Sequence, residues 1–132
     1  MIVLRPDQVK FDNAAWNAVI RVSFDRIAAR TVEEYDDTGP HPTLIDVPRQ
    51  RIVVRVTQEI EADDLDAPTP AQLGELELIA GGGSDAGKKR IRCNCVVESV
   101  QNRITDFGAT RNITLIAQST AGDQDPVSIT NA

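Results

Sequence analysis

The chain is poor in aromatic residues and has no long apolar run. Aromatic side chains make up 4% of its 132 residues, so a core must be built from Val, Ile, Leu and Ala, and we expect it to gain stability from neighbours in an assembly. The apolar runs are far shorter than the ~18 residues of a membrane-spanning helix. Residues 1–10 also lack the basic start and apolar stretch of a signal peptide. We therefore expect no membrane partner, and synthesis in a cytoplasm.

Basic residues are fewer than acidic ones, 14 against 20, which gives a net charge of −6. Nucleic-acid-binding domains usually carry a basic excess. The balance argues against such a domain and fits a surface to which DNA does not adhere. The one basic cluster, at Lys88, Lys89, Arg90 and Arg92, has no interleaved aromatic side chain on which bases could stack.

Residues with catalytic or metal-binding chemistry are few. His41 is the only histidine and lies between two prolines, and no motif places a nucleophile or a second titratable group beside it. Cys93 and Cys95 share one apolar strand face, and a zinc site needs about four ligands. We interpret both as core thiols and predict a protein that is not an enzyme and has no cofactor and no metal.

Two segments approach ligand-binding motifs without completing them. Gly82 and Gly87-Lys88 have the spacing of a phosphate-binding loop, but Lys89 stands where Ser or Thr would hold magnesium, and strand-like alternation follows where a helix is needed. The acidic run 61–66 lacks the glycine and spacing of a calcium-binding EF-hand loop. We interpret the first as a hairpin tip and the second as a solvated loop, with a calcium- or ligand-binding β module as an alternative.

The dominant pattern is a two-residue alternation of side chains. From Arg51 to Ile60, and again from Arg90 to Glu98, apolar residues recur at every second position. Successive side chains of a strand point to opposite faces, so this predicts half-buried antiparallel strands. Further strands are predicted over 72–80, 88–101, 103–106, 112–119 and 127–130. We expect a mainly β protein: one domain over 1–132, an antiparallel sandwich or barrel with long loops and at most one or two short helices.

Three segments interrupt this pattern. Residues 33–48 contain three prolines and are predicted to form a long extended loop. Residues 81–87 are a glycine-rich hairpin tip between two strands. Residues 13–27 fit a strand or a helix that begins at Asn13, and their β-branched side chains favour the strand.

Two stretches resemble small structural proteins of tailed-phage particles. One is Asp36-Asp37-Thr38-Gly39-Pro40-His41 followed by Asp46-Val47-Pro48 and a long strand. The other is Gly108-x-x-Arg111-x-Ile113-x-Leu115-x-Ala117-x-Ser119-x-x-Gly122-x-x-Asp125-Pro126-Val127. The resemblance is to tail-tube and baseplate-type components, covers about half of the chain and is carried by strand and turn residues.

The resemblance implies a tail-tube subunit that forms hexameric rings, which stack around a DNA channel. Its partners would be copies of itself and other phage tail or capsid proteins, with DNA only as non-specific passing cargo. Its location would be the virion, after assembly in the host cytoplasm. A long loop or hairpin usually reaches the neighbouring ring in such proteins, and segments 33–48 and 81–87 are long enough for that. The helix that usually flanks the sheet has its only candidate in residues 13–27. A capsid decoration protein or head-to-tail adaptor is the alternative.

Nine residues are candidates for contacts between subunits. Three apolar residues fall on otherwise polar strand faces, and we predict that Val53→Asp weakens oligomerisation more than it destabilises the fold. An acidic and a basic edge on one protomer suit a head-to-tail ring. The apolar candidates are Val53, Val96 and Ile116, the acidic ones Asp63 and Asp64, the basic ones Lys88, Lys89 and Arg90, and His41 is the candidate in the long loop.

Overall fold

A computed structural model describes residues 1–64, 67–81 and 87–132 of the chain. Within those residues it contains nine strands and no α-helix. The strands are β1 (Ile2–Leu4), β2 (Gln8–Phe11), β3 (Ala14–Ala15), β4 (Val19–Tyr35), β5 (Pro42–Ile60), β6 (Leu73–Ala80), β7 (Lys89–Thr105), β8 (Gly108–Ala117) and β9 (Val127–Asn131). The predicted mainly β, antiparallel fold is confirmed.

All nine strands belong to one sheet, in the order β1-β4-β5-β8-β7-β6-β2-β3, and β9 pairs with β7. Strand β7 organises this sheet, because its first half lies between β6 and β9 while its second half pairs with β8. The predicted hairpin of β6 and β7 is confirmed, although residues 82–86 of its tip lie outside the described residues. The separate strand predicted at 103–106 is wrong, since β7 continues without a break to Thr105.

One face of the sheet supplies the hydrophobic core. Strands β2 and β4 lie near opposite ends of the strand order, yet Phe11 of the first and Phe24 of the second belong to the same buried cluster. The sheet must therefore curl around its core. The alternation in the sequence matches this arrangement, because the buried side chains are Ile52, Val54 and Val56 of β5, Ile91, Cys93, Cys95 and Val97 of β7, Leu76 and Leu78 of β6, and Ile113 and Leu115 of β8.

Residues 13–27 contain strands, as the β-branched side chains predicted. Phe11 pairs with Ala14 across a two-residue turn whose residues, Asp12 and Asn13, have φ of 52° and 64°. Positive φ at both positions is the geometry that twists a tight hairpin correctly, and Asp and Asn tolerate it best among residues other than glycine. Asn13 therefore closes a turn and does not begin a helix.

The prediction of a long loop at 33–48 is wrong. Strands β4 and β5 stay paired as far as Tyr35 and Pro42, so only residues 36–41 connect them. The prolines are tolerated by position: Pro42 is the first residue of β5, and Pro48 falls where the register shifts between the Arg30–Arg49 and Val32–Asp46 pairs. Prolines occur in sheets at strand starts, at bulges and on edges. We call residues 27–51 the arm and the rest of the sheet the body.

Candidate assembly surface

The arm is a two-stranded ribbon that extends past the body. Among the described residues, β1 pairs with β4 only over Arg21–Ser23, and β8 pairs with β5 only from Val53 onward. The nine residues Ile27–Tyr35 span roughly 30 Å at about 3.3 Å per residue. A two-stranded ribbon alone is only marginally stable in water. The arm therefore depends on the body, or on a partner, for its rigidity.

Both faces of the arm expose large apolar side chains. Leu44 is 50% exposed and Ile45 is 59% exposed, and because they are successive strand residues they point to opposite faces. Tyr35 and Ile27 are also exposed. These four are among eleven exposed large apolar side chains in the described residues. These side chains, spread along a thin ribbon, provide apolar area that a partner would remove from water.

The charges of the arm are separated along its length. Residues 31–46 contain five acidic residues and no Lys or Arg; we call this segment the arm tip. Arg30 and Arg49 lie directly opposite each other nearer the body, and Arg51 follows. Like charges directly opposite on a sheet are destabilising. Within the described residues none of these three arginines forms an ion pair, whereas Arg26 pairs with Asp125 at 2.8 Å and Arg55 pairs with Asp25.

Local hydrogen bonds order the end of the arm. The Asp36 carboxylate accepts hydrogen bonds from the hydroxyl and, at 2.9 Å, the backbone N–H of Thr38, which together lower the pKa of Asp36. The Tyr35 hydroxyl donates to Glu33 Oε2 at 2.8 Å, and this bond and the nearby negative charge raise the Tyr35 pKa. The predicted interface residue His41 lies exposed in the same turn. The arm therefore presents an ordered, acidic end.

The three apolar interface candidates form one row across the outer face. Val53 of β5 pairs with Ile116 of β8, which pairs with Val96 of β7, which pairs with Leu73 of β6. The row is exposed to solvent at its Leu73 end, where Leu73 is 58% exposed. At the other end, Val53 is only 4% exposed within the single chain. Val53 therefore has little area to offer a partner, while Ile116 and Val96 are half-buried. Their role in subunit contacts stays a prediction.

Sequence reasoning missed Leu73, although its parity was readable. Leu76 and Leu78 are two residues apart in the strand predicted over 72–80 and so share a face, which places the odd-numbered Leu73 on the opposite face.

The basic cluster has partners within the chain. Lys88 pairs with Asp7 at 3.6 Å and Arg90 with Glu77 at 3.3 Å, while Lys89 donates a hydrogen bond to the Asn131 side chain. Arg92 lies 3.4 Å from Glu77 as well. Exposed pairs of this kind contribute little to stability, but they offset the positive field of the cluster. The sequence contained the signal, because Glu75 and Glu77 alternate with Leu76 and Leu78 on the strand that pairs with β7.

The acidic loop is anchored to the body through a buried arginine. Arg111 is 3% exposed and donates from Nη2 to the backbone oxygen of Asp64 at 3.1 Å and from Nε to Asn102 at 3.0 Å. The Asp64 carboxylate lies 3.6 Å from the same guanidinium, and Asp63 is exposed. Sequence reasoning missed this role, although Arg111 shares its strand face with Ile113 and Leu115, where a charged residue is unexpected.

A cleft of about 820 Å³ lies beside this anchor. Phe11 and Trp16, whose ring centroids stack at 5.1 Å, line it together with Gln58 and Arg111. The buried Gln58 donates to the backbone oxygen of Asn17 at 2.8 Å. Both buried polar side chains therefore hold the cleft walls together. Within the described residues no three His, Cys, Asp or Glu side chains group closely enough to hold a metal ion.

Cys93 and Cys95 are buried free thiols, as predicted. A thiol–thiol hydrogen bond and burial raise the pKa of Cys95. Thiolates are the reactive form, so Cys95 is an inert core residue.

No protein-family model matches the chain, and no curated protein matches it. The described residues contain no helix of the length and apolarity needed to span a membrane.

Proposed function

We propose that the chain is a structural protein that self-assembles, and specifically a tail-tube subunit of a tailed phage that forms stacked hexameric rings around a DNA channel. The observation that carries the proposal is the arm. It is a long ribbon with apolar side chains exposed on both faces, attached to a body whose core is already complete.

The energetics of the arm favour a partner. Burying a side chain such as Leu44 or Ile45 contributes about 1.5–3 kcal/mol relative to leaving it exposed. A protein–protein interface of standard size buries about 800 Å² on each partner, and a ribbon roughly 30 Å long with two open faces can supply a large share of that area. Copies of the same chain are the simplest partners for a closed symmetric assembly.

The charge distribution supports DNA as passing cargo. The net charge is −6, and Lys88, Arg90 and Arg92 of the basic cluster pair with carboxylates of the same chain. Affinity for DNA comes mainly from lysines and arginines that neutralise phosphates. The net negative charge and the paired basic cluster both disfavour firm binding of a duplex.

The state of the purified chain tests the proposal. Negative-stain microscopy and light scattering should reveal long tubes for a tail-tube subunit. Discrete rings or trimers would favour the decoration or adaptor alternative within the same structural class. A monomer at every concentration would contradict self-assembly.

Variants locate the contact on the arm. We expect Leu44→Asp/Ile45→Asp to abolish assembly, because two carboxylates would have to be buried at the interface. The matched control is Ile104→Asp, which changes an equally exposed residue outside the arm (62% exposed). If the arm double variant assembles like wild type while the chain still polymerises, the contacts lie elsewhere.

A small ligand-binding β module is the second candidate, favoured by the cleft beside Trp16. Calorimetric titration with calcium and with simple sugars tests it. Heat of binding that is lost in Trp16→Ala would support this candidate over the first.

A further inference from the structure

We infer that the arm tip of one copy docks in an apolar groove at the base of the arm of another copy. This inference rests on the proposed self-assembly and deepens it by naming the surface that receives the arm.

The receiving surface, which we call the base groove, has a volume of about 660 Å³ and is lined by Met1 and by residues of β4, β5 and β9. Its rim is apolar and open to solvent: Met1 is 51% exposed, Ile27 is 45% exposed and Ile129 is 53% exposed. Phe24, Ile52 and Val127 also line it. Three large apolar side chains around one groove mark a place where a partner can exclude water.

Unpaired positive charge lies next to the base groove. Arg30 is three residues from Ile27 on β4, and its direct cross-strand neighbour is Arg49. Two guanidinium groups in this position repel each other unless an anion lies between or above them. Within the described residues neither has a carboxylate partner, while Arg26 and Arg55, which also line the groove, are already paired.

The arm tip has the complementary properties. It exposes Leu44, Ile45 and Tyr35. It contains no Lys or Arg and five acidic residues, which are Glu33, Glu34, Asp36, Asp37 and Asp46. A ribbon end with exposed apolar side chains on both faces and carboxylates beside them matches an apolar groove flanked by arginines, in both polarity and charge.

The two surfaces of one chain cannot meet each other. Strand β4 is extended from Val19 to Tyr35, so its tip points away from the groove beside Ile27, roughly 30 Å off. The occupant of the groove is therefore the arm tip of a second copy. Each copy both donates a tip and accepts one.

A charge exchange tests this pairing. The base variant is Arg30→Glu/Arg49→Glu and the tip variant is Glu33→Arg/Glu34→Arg. The base variant keeps two like charges opposite each other, and Glu33 and Glu34 face Ile45 and Leu44, so neither exchange alters a cross-strand ion pair. Circular dichroism and thermal unfolding verify that both remain folded.

We expect each variant alone to need at least ten-fold more protein to assemble than wild type. An equimolar mixture should assemble near the wild-type concentration, because the glutamates at positions 30 and 49 of one variant can pair with the arginines at positions 33 and 34 of the other. Assembly is measured by light scattering and by co-sedimentation of the two variants with different dyes. If both variants assemble alone like wild type, or if the mixture fails to assemble, the inference is overturned. A wild-type chain that never assembles would instead contradict the proposed function itself.

Cross-linking provides a measurement that does not depend on charge. Ile45→Cys and Ile129→Cys variants, mixed and mildly oxidised, should form a disulfide between the two different chains, since the native cysteines are buried. Ile45→Cys mixed with Ile104→Cys is the control. A yield no higher than in the control would overturn the inference.

Discussion

The body and the arm share the same two long strands but differ in what covers their side chains. In the body, β4 and β5 place Val22, Val54 and Val56 in a core where each is 0% exposed. Further along the same strands, Leu44 and Ile45 are mostly exposed. The backbone ladder is continuous through both regions. Strand pairing is therefore common to both regions, and they differ in that the body covers its apolar side chains while the arm leaves them exposed.

The largest expected effect separates core from arm. We predict that Leu115→Ala in the body lowers the free energy of unfolding by about 2–5 kcal/mol, because it leaves a cavity in a fully buried site. Leu44→Ala on the arm should change it by less than about 0.5 kcal/mol. Urea denaturation at concentrations too low for assembly measures both. A cost at Leu44 close to that at Leu115 would show that the arm folds back onto the body.

A smaller effect is expected on the outer face. Val53 is 4% exposed inside one chain and lies opposite Asp25. Val53→Asp should therefore destabilise the isolated protomer by about 1–3 kcal/mol, since it places a carboxylate where water is largely excluded. This replaces the expectation, based on the sequence, that the substitution acts mainly on oligomerisation. Urea denaturation is the measurement, with Val53→Ala as the control for lost volume. Unchanged stability with lost assembly would restore the first expectation.

A weaker effect than at Leu115 or Val53 is expected at Asp125, where the body meets the arm. Asp125 accepts a hydrogen bond from the Val127 N–H and pairs with Arg26, which lower its pKa from the ordinary value of 3.8. A carboxyl with a depressed folded-state pKa contributes stability above 3.8 and loses it as the pH falls through the lowered value. Asp125→Asn should therefore destabilise the protein at pH 7 by less than about 1 kcal/mol.

The difference from wild type should disappear in acid. Urea denaturation at neutral pH and below the lowered pKa measures it, with Asp123→Asn as the control from the same loop. A difference that persists at low pH would mean that the side chain acts through something other than its charge.

The body was predictable from sequence because its strands have a buried face. Buried positions must be apolar, and the polar residues between them point to the other face, so the sequence shows a two-residue period. Examples of the buried positions are Val54, Val56, Cys93 and Val97.

The arm was not predictable by the same reasoning. Neither of its faces is covered within the chain, so nothing imposes a period on residues such as Glu33, Leu44 and Ile45. Its prolines then indicated a loop, because sequence alone does not reveal that Pro48 coincides with a register shift.

The candidate contact surface was recovered in part. The two-residue alternation placed Val53, Val96 and Ile116 on the polar faces of their strands. The strand order was needed to show that they form one row. The exposure of each side chain was needed to show that Val53 is covered within the chain. Identifying the carboxylate partners of the basic cluster required the register of β6 against β7. Recognising that Arg30 and Arg49 lie opposite each other required the register of the arm, since these residues are far apart in the sequence.

The irregular register of the arm has a consequence for edge-to-edge aggregation of the chain. Open strand edges invite indefinite edge-to-edge growth of the kind seen in fibrils. The arm's edges are interrupted near Ala28, near Pro48 and near Tyr35, where the ladder shifts. A strand from another molecule would lose its hydrogen-bond alignment at each interruption. These interruptions therefore disfavour amyloid-like, edge-to-edge aggregation of the chain.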